Sequence, residues 1–175
     1  MKHFILSTAI ALPLSVSAAF AAGGGNETAP PKPKCEAGMV YDKETKSCVN
    51  AQESNLDVDS LYENLRELAY AGRYKDAEAV MAQMPVDDDR RLTYMGFTQR
   101  KQGNVDAAMG YYAQALALNP ANNLARSYMA QGFVEQGKMT QALAELREIR
   151  AQGGSGTWAE ASLRTAIATG QTFSY

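Results

Sequence analysis

Residues 103–108 read Gly103-Asn104-Val105-Asp106-Ala107-Ala108. The same arrangement, a glycine followed by an apolar residue two positions later and an alanine five positions later, begins again at Gly72 and at Gly137. Gly137 follows Gly103 by 34 residues, and Gly72 precedes Gly103 by 31. An interval of this length is typical of a repeat protein in which each unit is one small supersecondary element.

The residues around each glycine predict a pair of helices. A glycine in the left-handed conformation ends the first helix, and a small alanine lets the second helix approach the first closely. Apolar residues at intervals of three and four, which mark one face of a helix, lie on both sides of each glycine. In the first unit they are Leu61, Leu65 and Leu68, then Ala77, Met81 and Met84.

Start and stop signals agree with this register. Pro85 and Pro120 cannot continue a helix. The residues that follow them, Asp87–Asp89 and Asn122-Asn123, are candidate N-caps. At the first helix, Ser60 with Glu63 three residues later predicts a capping box.

After the third unit, the spacing of Ala159 and Leu163 predicts one more amphipathic helix. Its Glu160 and Arg164 are expected to face away from the array as an i,i+4 pair. A helix with a polar outer face is what closes the end of a solenoid.

The run from Leu92 to Pro120 resembles the tetratricopeptide repeat family. The positions that match its pattern are Leu92, Met95, Gly96, Gly103, Val105, Ala108, Tyr112, Ala115 and Pro120. The resemblance covers residues 58–170. It implies an all-α fold, a helical-hairpin solenoid of three repeats (58–88, 89–122 and 123–156) plus a capping helix (157–170). Asn64, Gln99 and Arg126 depart from the family pattern, since those positions are usually apolar.

The same resemblance implies a binding groove, because first helices of such arrays line a concave face that binds peptides or partner helices. The groove positions fall on Tyr62, Arg66, Ala69, Thr93, Phe97, Arg100, Ser127, Gln131 and Val134. We take Tyr62, Arg66, Thr93, Phe97, Arg100, Ser127 and Gln131 as the candidate partner-binding residues. An alternative stays open, in which the rings pack between repeats and the arginines are only solvated.

Cys35 and Cys48 are the only cysteines. They flank residues that predict two short strands around an Asp-led turn, and we expect them to form a disulfide in an oxidising compartment. Two thiols without histidines cannot complete a zinc site. Residues 35–48 also resemble the last hairpin of invertebrate-type chitin-binding modules, which implies a possible sugar-binding surface at Tyr41.

The N-terminal residues predict export. Lys2, an apolar run over residues 4–14 and the small-x-small sequence Ala19-Phe20-Ala21 are typical of a secretory signal peptide at 1–21. A Gly/Pro-rich linker is predicted at 22–34, a disulfide hairpin at 35–49 and a second linker at 50–57. We therefore expect a secreted, periplasmic protein with no membrane span after signal removal.

Composition limits the chemistry. The chain has 175 residues with 17 Lys+Arg against 19 Asp+Glu, a balance that gives no basic stripe for nucleic acid. Its single histidine, His3, lies in the predicted signal peptide. Without an imidazole or a free thiol we predict no catalytic residue, cofactor or metal.

The preferred hypothesis is a non-enzymatic protein-binding scaffold of the bacterial cell envelope. A module associated with cell-wall glycan is the alternative, and an enzyme is the third hypothesis.

Overall fold

The computed structural model describes residues 33–173. The predicted signal peptide and all but the last two residues of the predicted linker 22–34 lie outside the described residues. Within them, a β-hairpin precedes seven α-helices. The elements are β1 (Met39–Asp42), β2 (Ser47–Asn50), α1 (Val58–Tyr70), α2 (Tyr74–Met81), α3 (Asp89–Lys101), α4 (Val105–Leu118), α5 (Asn123–Glu135), α6 (Met139–Ala151) and α7 (Trp158–Thr169).

The helices pack as consecutive pairs. Helix α1 packs on α2, α3 on α4 and α5 on α6, while α7 packs on both α5 and α6. The first helices of the pairs also touch in succession, α1 with α3, α3 with α5 and α5 with α7. Each pair thus buries its apolar face against the next one, as a repeat array requires. The predicted all-α array with a capping helix and an N-terminal hairpin is confirmed.

The three joint glycines adopt the predicted backbone conformation. Gly72, Gly103 and Gly137 have φ of 72°, 89° and 71°. In each case the residue after the glycine donates its backbone N–H to a carbonyl five residues earlier, at 2.8 to 2.9 Å. This bond closes the end of the first helix in a Schellman motif. The alanine five residues after each glycine is fully buried, which brings the two helices together.

The helix starts are partly as predicted. Asp88 caps α3, accepting hydrogen bonds from the backbone N–H groups of Arg90 and Arg91, and Asn122 caps α5. The predicted capping box at Ser60 is wrong. Asp57 is the N-cap of α1, and its carboxylate accepts from the Ser60 backbone N–H at 2.7 Å. An aspartate three residues earlier can accept that bond, so the helix begins sooner.

The hairpin is antiparallel, with Tyr41 opposite Cys48. The predicted disulfide Cys35–Cys48 is present, with the two Cα atoms 5.6 Å apart. Val40 is buried in the same apolar cluster as Leu61 and Leu65 of α1, and Ala51, directly after β2, is buried there too. The hairpin is therefore part of the core at the N-terminal end of the array.

Polar bonds fix the hairpin on the first repeat. The side chain of Asn64 accepts a hydrogen bond from the Tyr41 backbone N–H at 2.7 Å and donates to the Tyr41 carbonyl at 2.9 Å. Arg73 donates to the carbonyls of Cys35 and Glu36. Asn64 departs from the family pattern because its amide pairs with both polar groups of one strand residue.

The expected outward pair on α7 is wrong. Glu160 is buried, accepts from Arg150 Nε of α6 at 2.7 Å, and accepts from the Gly156 backbone N–H at 2.8 Å. These hydrogen bonds lower the pKa of the Glu160 carboxyl, and the bond from Gly156 has the largest effect. Glu160 faces α6 because its carboxylate supplies the partner for Arg150 and for a loop amide. It therefore joins α7 to the third repeat.

Candidate functional site

The first helices α1, α3 and α5 bring the predicted groove residues to one face of the array. Aromatic rings fill much of the space between these helices, and their centroids lie 5.0 to 6.3 Å apart. The rings belong to Tyr62, Tyr70, Tyr94, Phe97, Tyr128 and Trp158. Most pairs meet edge to face, the favourable arrangement for such rings. We call these six residues the aromatic cluster.

Hydroxyl groups of the cluster join three consecutive repeats. Tyr70 of α1 shares a hydrogen bond with Tyr94 of α3 at 2.5 Å and another with Tyr128 of α5 at 3.0 Å. Burial raises the pKa of Tyr94 and of Tyr128 well above the ordinary value for tyrosine. Both side chains therefore stay neutral, and each hydroxyl can share a proton-bearing hydrogen bond with Tyr70.

Burial divides the seven candidate groove residues into two groups. Thr93, Phe97, Arg100, Ser127 and Gln131 all have side chains that are almost wholly buried. Ala69 and Val134, at the other two family positions, are buried as well. The physical reason is the close packing of neighbouring first helices, together with α7, which covers α5. Partner binding by the set stays a prediction.

The buried polar members have partners inside the protein. Thr93 Oγ1 donates to the Asp89 carbonyl at 2.7 Å. Ser127 Oγ donates to the Ala159 carbonyl of α7 at 2.8 Å. Gln131 Oε1 accepts from the backbone N–H of Phe173, the last described residue. These side chains hold elements together in this structure.

Arg100 bridges two repeats from a buried position. Its Nη1 donates to Glu135 Oε1 at 2.5 Å, and its Nε lies 3.4 Å from the Tyr112 hydroxyl oxygen. The Arg100 side chain has no exposed area, whereas that of Glu135 is 30% exposed. Arg100 therefore ties α3 to α5 and does not present its charge to solvent.

The open part of the face lies at α1 and the start of α3. Tyr62 and Arg66 are half-buried, and the Arg66 guanidinium carbon lies 5.7 Å from the centre of the Tyr62 ring and 5.9 Å from that of Tyr70. Ion pairs within residues 33–173 do not include Arg66. Its Nε is buried without a hydrogen-bond partner in that part of the chain. Among the described residues, Arg66 thus carries a charge that contacts rings but no carboxylate.

Arg90 completes this open region. Its guanidinium carbon lies 4.9 Å from the centre of the Tyr62 ring, and its nitrogens pair with Asp59 and Asp88. Beside it is a pocket of about 330 Å³. Its lining includes Tyr62, Arg90, Thr93 and asparagines after α4. The sequence analysis did not select Arg90. It did not select Tyr94 and Tyr128 either, but their separation of 34 residues, one repeat length, is a signal that could have found this shared aromatic position.

A larger cavity of about 560 Å³ lies between the hairpin and the first repeat. Met39, Tyr41 and Leu68 give it an apolar wall, and Arg73 lies at its border with its guanidinium bound to backbone carbonyls. Among the described residues, no three His, Cys, Asp or Glu side chains are grouped so that they could hold a metal ion.

Comparison with known families identifies the helical part. The family model described as tetratricopeptide repeat matches residues 99–167, from the end of α3 into α7. Residues 99–167 of this protein therefore match the tetratricopeptide repeat family. The first helix pair, outside the matched range, has the same joint glycine and a buried alanine five residues later. No curated protein and no solved structure matches the chain.

Tetratricopeptide repeats generally mediate protein–protein interaction and are typically non-catalytic modules. No helix within residues 33–173 has the length and apolar content needed to span a membrane.

Proposed function

We propose that this protein is a non-enzymatic scaffold of the bacterial cell envelope that binds a peptide or partner protein on the concave face of its repeats. The observation that carries the proposal is Arg66, a half-buried arginine between the rings of Tyr62 and Tyr70 with no carboxylate partner among the described residues. Beyond Tyr62, Arg90 and the pocket beside them, most of the predicted groove residues are buried.

The open residues fit an acidic, extended segment. A carboxylate can accept two parallel hydrogen bonds from a guanidinium, and such charge-assisted pairs are the strong ones. Arginine and tyrosine are also the residue types that dominate binding energy at protein interfaces. Tyr62 and Arg66 are therefore the contacts that we expect to matter, with the buried members of the predicted set acting as their support.

The envelope location rests on two features. Residues 1–21 have the order of a secretory signal peptide, and the disulfide Cys35–Cys48 suits an oxidising compartment. Both are expected of a protein that works outside the cytoplasm.

Site-specific photo-crosslinking in living cells tests the proposal. A photoreactive phenylalanine analogue at position 62 should crosslink to one protein partner, whereas the same analogue at Leu143, exposed on α6, should not. Arg66→Ala should lower the crosslinked yield about tenfold, the effect of losing ~1.4 kcal/mol of binding free energy. Arg147→Ala, at an exposed arginine of α6, is the matched control and should leave the yield unchanged.

Equal crosslinking at positions 62 and 143 would contradict the proposal. Retention of the purified protein on cell-wall polymer, with no protein crosslink at position 62, would favour the glycan-associated alternative. Turnover in a hydrolase panel would favour an enzyme.

A further inference from the structure

The chain after α7 returns to α5. Gly170 ends α7 in the left-handed conformation, with φ of 73°. Two residues later, Thr172 Oγ1 donates a hydrogen bond to Glu135 Oε1 at 2.5 Å. The backbone N–H of Phe173 then donates to Gln131 Oε1 at 2.9 Å. The described part of the C-terminal tail, Gln171–Phe173, therefore contacts α5 at two positions.

These two positions lie on the side of α5 that carries the predicted groove residues Ser127 and Gln131. Gln131 and Glu135 are four residues apart on α5, so they lie one above the other on one side of the helix. Gln131 is also one of the predicted groove residues. The same Glu135 oxygen accepts from Arg100 of α3, which places the Thr172 contact at the junction of the second and third repeats.

The bonds that hold the tail are of the kind that a peptide ligand uses. A glutamine amide oxygen accepts a backbone N–H, and that interaction is independent of the ligand's side chain. Residues 170–173 carry no charged side chain. The tail therefore contacts α5 through hydrogen bonds without a charged side chain of its own, and this contact should depend little on salt concentration.

Gln131 has few other partners. Its Nε2 lies 3.4 Å from Ser127 Oγ and 3.5 Å from Ser162 Oγ, and its side chain is fully buried. A buried amide oxygen that loses a close donor costs free energy until another donor replaces it. The Gln131 amide oxygen can therefore exchange the N–H group of the tail for a backbone N–H group of an incoming peptide.

We propose that Gln171–Phe173 is an intramolecular ligand of the repeat groove, and that a partner peptide must displace it to bind across the third repeat. The inference rests on the proposed function, because it concerns regulation of that same face. A tethered segment acts at an effective concentration of about millimolar when its linker is short. The apparent affinity for a partner is the intrinsic affinity multiplied by the fraction of molecules in which the tail has left.

Hydrogen exchange in the full chain tests whether the tail is docked. Exchange of the Phe173 amide, followed by mass spectrometry of C-terminal fragments, should be slower than in the free peptide of residues 168–175. Gln131→Ala should return it to the free-peptide rate, while Gln114→Ala, at an exposed glutamine of α4, should not change it. Free-peptide exchange in the unsubstituted chain would overturn the proposal.

Competition tests the consequence for binding. The probe is a fluorescein-labelled peptide of residues 168–175. Phe173→Pro, which removes the N–H that Gln131 accepts, should bind the probe about tenfold more tightly than the unsubstituted chain does. Phe173→Leu keeps that N–H and should bind the probe as weakly as the unsubstituted chain. Equal probe affinity for the proline and leucine variants would overturn the proposal.

Two further outcomes have a defined meaning. Amide protection that rises with protein concentration would show that the tail of a second copy occupies the face, and the intramolecular proposal would be wrong. Protection together with failure of crosslinking at position 62 would support the tail contact and contradict the envelope-scaffold function.

Discussion

Two glycines in first helices show how one missing side chain sets the distance between helices. A Cβ built on Gly96 of α3 would lie 2.5 to 2.9 Å from ring atoms of Tyr112 on α4. A Cβ on Gly132 of α5 would overlap the end of Met109. Tyr112 is fully buried and its ring is held on all sides, whereas the methionine is flexible. Gly96 is therefore the more restrictive position.

We predict that Gly96→Ala lowers the free energy of unfolding by about 1–3 kcal/mol, because the added methyl group overpacks a rigid contact. Urea unfolding followed by circular dichroism measures this change. The matched control is Gly110→Ala in α4, where an added Cβ meets nothing within 4 Å. That variant should gain up to ~1 kcal/mol from helix propensity. Destabilisation of both variants would contradict the packing argument.

At the scale of the helix, the start of α3 depends on one carboxylate. Asp88 accepts from the backbone N–H groups of Arg90 and Arg91 at 2.8 and 3.2 Å and pairs with the Arg90 guanidinium. Burial alone would raise the pKa of Asp88, but the hydrogen bonds from Arg90 and Arg91 outweigh it and hold the pKa below the ordinary 3.8. The ionised form is the one that caps the helix.

We predict that Asp88→Ala lowers the free energy of unfolding by about 1–2 kcal/mol at neutral pH, the usual cost of losing an N-cap. Since the folded-state pKa is lowered, the contribution is complete above pH ~4 and is lost as the pH falls through the folded-state value. Urea unfolding at neutral pH and at pH ~3 should therefore show a smaller difference from the unsubstituted chain in acid. Asp87→Ala, at the exposed neighbour, is the control and should change stability little. An equal loss for both variants would contradict the cap.

At the scale of the whole molecule, both ends of the array are closed by other parts of the chain. The hairpin packs Val40 against α1, and α7 packs against α5 and α6. Terminal repeats need such caps because each would otherwise expose an apolar face. The N-terminal cap is joined to the array by Asn64, which pairs with both backbone groups of Tyr41.

We predict that Asn64→Leu, which restores the residue class of the family, still destabilises the protein. It leaves the N–H and C=O of Tyr41 without their partner, at a cost of about 1–3 kcal/mol. Thermal unfolding and exchange of the Tyr41 amide measure the loss. Asn104→Leu, at an exposed asparagine, is the control. A gain in stability for Asn64→Leu would show that the hairpin does not depend on this contact.

Much of the fold follows from spacing. The glycines at 72, 103 and 137 place the joints because only glycine adopts their backbone conformation without strain. The strands of the hairpin and its disulfide also follow from local residues. The candidate site did not, because helical periodicity shows which face a residue occupies but not what covers that face. Phe97 and Gln131 lie on the predicted side of their helices and are nonetheless buried.

The sequence alone determined the number of helix pairs, their joints and the apolar face of each helix, because these depend on residues near one another in the chain. The tertiary structure decided which side chains remain open on the concave face. Tyr70, Tyr94 and Tyr128 meet there from three repeats, and Phe173 reaches Gln131 from 42 residues away. Such contacts depend on how whole helices are placed relative to one another, and the spacing of residues along the chain does not determine that placement.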